Sequence, residues 1–198
     1  MNPILAYRIH NDDDGYRATI ESLSNNELTP GDTRIAVQFS SVNYKDALAG
    51  TGQGKILRHY PLNGGIDCAG QIIESADPQL KPGDTVLVTG SGLSETMDGG
   101  YSSEVRIDHR HVIRIPDGWS AREAMVLGTA GFTAGLALLR MQENRQHPDL
   151  GPIAVTGATG GVGMLATALF HRAGYRVHAV SGKPEHASYC GRLVQMSY

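Results

Sequence analysis

The stretch Ile153-Ala154-Val155-Thr156-Gly157-Ala158-Thr159-Gly160-Gly161-Val162-Gly163 decides the fold of this 198-residue chain. Ile153 to Val155 reads as a short buried strand. Ala158 to Gly163 follows Gly-x-Gly-x-x-Gly with alanine in the first place, between a predicted strand and a predicted helix, the context that gives the pattern meaning. Gly160 lets the backbone approach a pyrophosphate, and Gly163 lets the helix pack closely on the strand. The helix start then offers unpaired N–H groups and a partial positive charge to the phosphates, with Thr159, Gly161 and Val162 completing the loop. A tight strand-to-helix turn without a ligand is the plain alternative. Val162, Leu165, Ala166 and Leu169 recur at helical spacing, Gly174 stands where a left-handed cap belongs, and Arg176 to Val180 reads as a second strand.

The end of that second strand selects the cofactor. An NAD site wants an acid about 20 residues beyond the loop, to accept from the ribose 2′-hydroxyl. This chain offers Val180-Ser181-Gly182-Lys183, with no acid. Serine and lysine donate to a 2′-phosphate, and a hydrogen bond to a charged group is worth roughly 1.5–3 kcal/mol. The expected cofactor is NADPH. A solvated lysine after a strand is the bland reading of Lys183.

Working back toward the N-terminus, the first ~115 residues read as β-rich from alternation and turn signals. Arg34 to Phe39 alternates polar and apolar, and Lys81-Pro82-Gly83-Asp84 feeds a strand at Thr85 to Thr89. Tyr101 to Ile107 and Ile113 to Pro116 are two further predicted strands, and Asp12-Asp13-Asp14-Gly15 is a solvated turn. Ser120-Ala121-Arg122-Glu123 has the capping-box spacing. The helix after it is expected to break over Gly128 to Gly131 and resume from Phe132 to about Arg140, with a polar connection over Gln142 to Gly151. The predicted organisation is a β-rich domain over 1–118, a helical connection over 119–150 and a partial nucleotide-binding domain over 151–198. The fold class is α/β.

Composition is that of a globular protein, 40% hydrophobic and 19% charged, and the formal charge of -3 argues against nucleic acid as a partner. No basic segment followed by an apolar stretch marks a signal peptide, and no run of about 18 apolar residues is evident, so no membrane partner is expected. Cys68 and Cys190 make neither a disulfide framework nor a metal knuckle. The expected location is the cytoplasm.

Several segments together resemble the medium-chain dehydrogenase/reductase superfamily, most closely its YhdH/AcuI branch of quinone-oxidoreductase-like acryloyl-CoA reductases. They are Ser40 to Leu48 (Ser-Ser-Val-Asn-Tyr-Lys-Asp-Ala-Leu), Gly65 to Gly70, Gly83-Asp84, Gly128 to Ala134 and Thr156 to Gly163. The resemblance runs from about Ala6 to about Tyr189. It implies a GroES-like β domain followed by a Rossmann domain with the active site between them, and homodimers among full-length relatives. Zinc-dependent relatives carry Gly-His-Glu where this chain has Gly65-Ile66-Asp67, and isoleucine offers a metal no lone pair. Catalytic zinc needs about three protein ligands, and no such spacing is found, so no metal is expected. Thr156 to Gly163 also satisfies the loop of short-chain dehydrogenases. Those place it near the N-terminus and use a Tyr-x-x-x-Lys pair that none of the eight tyrosines here supplies.

Without zinc, the chemistry the resemblance implies is conjugate reduction of an enone or acyl-CoA, with charge building on a carbonyl oxygen held by hydrogen-bond donors. The resemblance places Asn43, Tyr44, Lys45 and Asp46 beside the nicotinamide. Tyr44 is the expected cofactor or substrate contact and proton donor, Asp46 the orienting group, Asn43 a further catalytic residue, and Thr129 a nicotinamide contact. Packing for Tyr44 and a turn cap for Asp46 are the alternatives. Family members continue past this point, and the match fails over Cys190 to Tyr198. One set of codons for those residues, read one base earlier, encodes Leu-Arg-Ser-Leu-Gly-Ala-Asn-Glu-Leu, the kind of helix-turn the family has there. The expectation is a one-base frameshift and a chain that binds NADPH poorly. A non-catalytic remnant or GroES-like interaction module is the alternative function.

Overall fold

The computed structural model describes residues 3–195, which form two compact units divided between Thr129 and Ala130, unit 1 before that point and unit 2 after it. Met196, Ser197 and Tyr198, the end of the segment read as frameshifted, lie outside the described residues.

Unit 1 opens with a hairpin of β1 (Ile4–Asp12) and β2 (Gly15–Leu23), paired antiparallel from Ile4↔Leu23 to Asp12↔Gly15. The acidic tripeptide is the turn, and Gly15 closes it at φ 93°, a left-handed conformation that costs glycine nothing. Strand β1 also pairs with the short β4 (Leu62–Asn63). A second, antiparallel sheet has the order β7-β3-β5-β6-β8, from β3 (Thr33–Phe39), β5 (Asp67–Ser75), β6 (Thr85–Thr89), β7 (Glu104–Ile107) and β8 (Ile113–Arg114). Ile35, Cys68, Ile72, Val86, Val88, Val105 and Ile107 pack into one core beneath it.

Two predicted strands are shorter than read. Over residues 101–103 the chain bonds instead to Gly64 and Leu5, and β8 ends before Pro116, which has no N–H to give. The hairpin is anchored by a buried polar knot. Arg8 Nη1 lies 3.0 Å from Asn63 Oδ1 and 3.5 Å from Asp98 Oδ1, and Asp98 accepts from the Thr29 and Asn63 amides. Between β3 and β4 in the chain lies α1 (Tyr44–Thr51), an element the sequence reading did not contain. Its C-cap Gly52 is left-handed at φ 73°.

Helix α2 (Ala121–Glu143) begins with the predicted capping box: Glu123 Oε2 accepts from Ser120 N at 2.8 Å, and Ser120 Oγ accepts from Glu123 N at 3.2 Å. Just before it, a turn closes with Trp119 N donating to Pro116 O at 3.1 Å, and Trp119 is half exposed. The expected break over Gly128 to Gly131 is one residue long. Gly128 alone is non-helical, at φ 49° and ψ −154°, and the helix then runs on to Glu143. By length and composition α2 could cross a membrane, with an 18-residue window of mean hydropathy 1.4, where the sequence reading saw no such run. Its apolar residues serve two cores: Ala124 and Met125 pack with Ala69 and Ile115 in unit 1, Ala134 and Leu138 with Val155 and Phe170 in unit 2.

Unit 2 holds β9 (Ile153–Thr156), α3 (Gly161–Arg172) and β10 (Val177–Val180), with the two strands parallel from Val177↔Ile153 to Val180↔Thr156. The buried stripe of α3 is Gly163, Ala166, Thr167 and Phe170, rotated from the predicted stripe; Val162 is 43% exposed. Gly174 is left-handed at φ 92°, as expected of a residue just past a helix end. Helix α4 (Ala187–Gln195) covers most of the segment where the resemblance stopped.

Candidate functional site

In unit 1 the expected residues gather around a carboxylate to which the sequence reading gave no role. Asp67 leads β5, is fully buried, and no cation is among its hydrogen-bond partners. A lone buried carboxylate survives only if donors surround it. Ser41 N (2.9 Å) and Ser40 Oγ (3.3 Å) donate to Oδ1. Ser41 Oγ, Asn43 Nδ2 (3.1 Å) and Thr129 N (3.1 Å) donate to Oδ2. The hub therefore ties the segment after β3 to the kink of α2. Gly128 makes that approach possible, since a Cβ there would stand 2.3 Å from Ser41 Oγ and 3.0 Å from Asp67 Oδ2.

Asp46 lies on the first turn of α1 and is buried. Its Oδ2 accepts from Asn43 N at 2.7 Å and its Oδ1 from Ile66 N at 3.1 Å. It thus caps the helix and orients Asn43 at once. Burial pushes its carboxyl above the ordinary 3.8, against the hydrogen bonds that favour the charged form. The Tyr101 hydroxyl donates to Ser41 O at 3.0 Å, and burial, aided by the Asp46 charge, raises its pKa well beyond the usual phenol range. Tyr44 stands apart: it is 80% exposed, and its hydroxyl has no hydrogen-bond partner among the described residues. Asn43, Asp46 and Thr129 are thus drawn into one network, and Tyr44 projects from its edge. A charged residue opening the apolar run Cys68-Ala69 was the available signal for Asp67; Ser40 and Ser41 stood in a segment of the resemblance without a role, and nothing in the sequence marked Tyr101.

In unit 2 the glycine loop is built as its pattern requires. Gly160 N bonds to Gly157 O at 2.9 Å, and a Cβ on Gly163 would meet Gly157 O at 2.1 Å, so no side chain fits there. The N-cap of α3 is Gly160, which has no side chain to satisfy the first helical amides. The loop is tied to the second strand: Ala158 N bonds to Val180 O at 3.1 Å, and Thr159 Oγ1 lies 3.1 Å from Ser181 Oγ. Ser181 Oγ also accepts from Lys183 N at 3.1 Å, while Gly182 and the Lys183 side chain are exposed. A bare amide cradle with a hydroxyl and an ammonium at its far end fits a dinucleotide that carries an extra phosphate.

Ile66, which offers a metal no lone pair, is buried and apolar. Among the described residues one His/Asp group brings ligand atoms within 4.8 Å of one another, Asp32, Asp108 and His109. Its atoms are already engaged: His109 Nδ1 lies 2.6 Å from Asp32 Oδ2, and Asp108 holds the Arg110 guanidinium.

Residues 29–117 match the family described as the alcohol dehydrogenase GroES-like domain. The chain is similar to the probable acrylyl-CoA reductase AcuI of Escherichia coli K12, 44% identical over 89% of this chain and 54% of that protein. It is similar to the putative quinone oxidoreductase YhfP of Bacillus subtilis, 41% identical over 88% of this chain and 53% of that protein. The YhfP structure, solved with NAD bound, superposes with a TM-score of 0.92 at 37% identity, covering 99% of this chain and 60% of that one. The yhdH oxidoreductase of Salmonella enterica, solved in complex with NADP, gives a TM-score of 0.91 at 41% identity, covering 98% of this chain and 59% of that one. The chain spans about half the length of the curated relatives it matches.

Proposed function

We infer that this chain, kin by sequence and fold to the AcuI/YhdH branch of the medium-chain dehydrogenase/reductases, belongs to an NADPH-dependent oxidoreductase that reduces an activated C=C bond without zinc. The observation that carries the reading is the bare amide cradle of Gly160, Gly161 and Gly163, with Ser181 and Lys183, rather than an acid, at the end of β10. Main-chain amides of the loop hold the diphosphate, and Thr159, Ser181 and Lys183 hold the 2′-phosphate. Bound NADPH supplies the hydride for the β-carbon of an enone or acyl thioester. An acyl-CoA such as acryloyl-CoA, or a quinone, is the substrate class the relatives favour.

The chain's own part in the chemistry is positioning and proton supply. Asp67 fixes Asn43 and the Thr129 segment, and Asp46 fixes the turn that presents Tyr44. Asn43 and Tyr44 then face the carbonyl on which charge develops, where fixed donors act without reorganisation. The Tyr44 hydroxyl gives a proton toward the α-carbon.

Titration of the 198-residue chain with NADPH and NADH, followed by reduced-nucleotide fluorescence, tests the cofactor assignment. NADPH binds more tightly, and Lys183→Glu removes roughly tenfold of that preference, in line with the strength of a charged hydrogen bond. Equal affinity, a preference for NADH, or no binding of either would overturn it. NADPH oxidation with acryloyl-CoA, a quinone and an enal side by side ranks the substrates.

A further inference from the structure

The hairpin sheet of unit 1 ends on β2, which has β1 on one side and, among the described residues, no backbone partner on the other. It is the long edge of this chain. Strand β2 runs nine residues in unbroken register, whereas the other sheet edges are two residues long in β4 and β8 and four in β7, β9 and β10. An edge strand turns alternate N–H and C=O groups outward, and natural edges are blunted by shortness, bulges, proline or repelling charge. Gly15-Tyr16-Arg17-Ala18-Thr19-Ile20-Glu21-Ser22-Leu23 has neither bulge nor proline, and its two charges are of opposite sign, each two residues from Thr19.

That spacing makes the strand complementary to itself. When two copies of β2 lie antiparallel with Thr19 facing Thr19 across a two-fold axis, Arg17 of each faces Glu21 of the other, and Ile20 faces Ala18. A register displaced toward Arg17 or toward Glu21 sets each charge against a neutral residue or against its own kind. Both charged groups keep capacity for a second partner. Arg17 grips the Asp12 carboxylate through Nη1 and Nη2, and its Nε–H has no partner among the described residues. Glu21 Oε1 accepts from Thr19 Oγ1 at 2.7 Å and lies 2.7 Å from His10 Nε2, while Oε2 has no partner among the described residues. Ile20, on the opposite face of the strand, is 77% exposed. In the paired edge it gains Ala18 of the other copy directly across and Ile20 of the other copy on the diagonal.

We propose that β2 is a docking edge for a second copy of this chain, joined antiparallel about Thr19 and fixed in register by two Arg17–Glu21 pairs. Each copy covers the other's open edge, so the assembly closes as a dimer. The contact lies wholly in unit 1 and is independent of the nucleotide-binding reading. Pairing of one edge is a small interface, so the dimer forms over about 1 µM to 1 mM.

Sedimentation equilibrium of the 198-residue chain tests this. Arg17→Glu and Glu21→Arg each weaken the dimer about tenfold or more, because like charges then face each other twice. An equimolar mixture of the two single variants recovers the dimer, since each now meets the opposite sign. The double exchange Arg17→Glu/Glu21→Arg recovers it as well. That variant also loses the Asp12 contact, so recovery separates pairing across the two-fold axis from any effect on the hairpin itself. Raising the concentration of the unaltered chain slows hydrogen exchange at amides of β2 and leaves those of β10 unchanged. A chain still monomeric at about 1 mM overturns the proposal. So does a dimer indifferent to both single reversals, a mixture that fails to recover, or a dimer whose β2 amides gain no protection.

Discussion

Asp67 stands at the centre of five donors drawn from three residues after β3 and from Thr129. Its removal would strand the Ser41 and Thr129 amides in a buried place, and each orphaned donor costs about 1–3 kcal/mol. Asp67→Ala should therefore lose about 3 kcal/mol or more in urea unfolding. Asp67→Asn keeps the volume and sets an N–H against one of the same donors, so it should also destabilise. A change within error for either variant would show that the hub holds nothing in place. At this scale the sequence was half legible. Gly163 was readable because it has a local reason to be there: a Cβ would meet Gly157 O at 2.1 Å. Asn43, Asp46 and Thr129 were readable only through kinship. The bonds of Ser40, Ser41 and Tyr101 were not readable, because they reach Asp67 and the segment after β3 across 20 or more positions of sequence.

Among the elements, the kink of α2 has the strictest requirement. Gly128 combines φ 49° with a Cβ direction that ends 2.3 Å from Ser41 Oγ. Gly128→Ala must strain the backbone and push Ser41 off Asp67 together. A loss of about 2 kcal/mol or more is expected, read as a lowered thermal midpoint. A neutral outcome would mean that the helix can straighten without loss. The capping box at Ser120 and Glu123 was legible because both partners lie within one turn. The length of the break was not, since Gly128, Thr129, Ala130 and Gly131 look alike as helix breakers, and only the buried carboxylate selects the first. Helix α1 was missed for a related reason. It is eight residues long, and its capping pair, Asn43 and Asp46, reads equally well as chemistry.

For the whole molecule the two units differ in how much they bury. Unit 1 has two antiparallel sheets, the larger of them over a well-buried core, whereas unit 2 has two parallel strands and helices, with β10 largely exposed. Parallel sheets gain their stability from cover on both faces, and two-stranded sheets are marginal alone. Native-state hydrogen exchange should therefore show amides of β3, β5 and β6 protected roughly tenfold or more beyond those of β9 and β10. Equal protection would mean that the chain opens as a single cooperative body. The α/β class and the strand–loop–helix–strand order were legible because hydrophobic period and glycine placement are local. The strand order β7-β3-β5-β6-β8 was not, because each pairing is set by partners far along the chain.

The half-exposed indole of Trp119, in the turn between β8 and α2, is the chain's single tryptophan. Intrinsic emission excited at the indole band is thus an optical gauge of that turn alone, and the glycine loop of unit 2 is dark to it. A melting curve recorded by this signal follows unit 1, so loss of the dinucleotide cradle could pass unseen unless a second chromophore is watched.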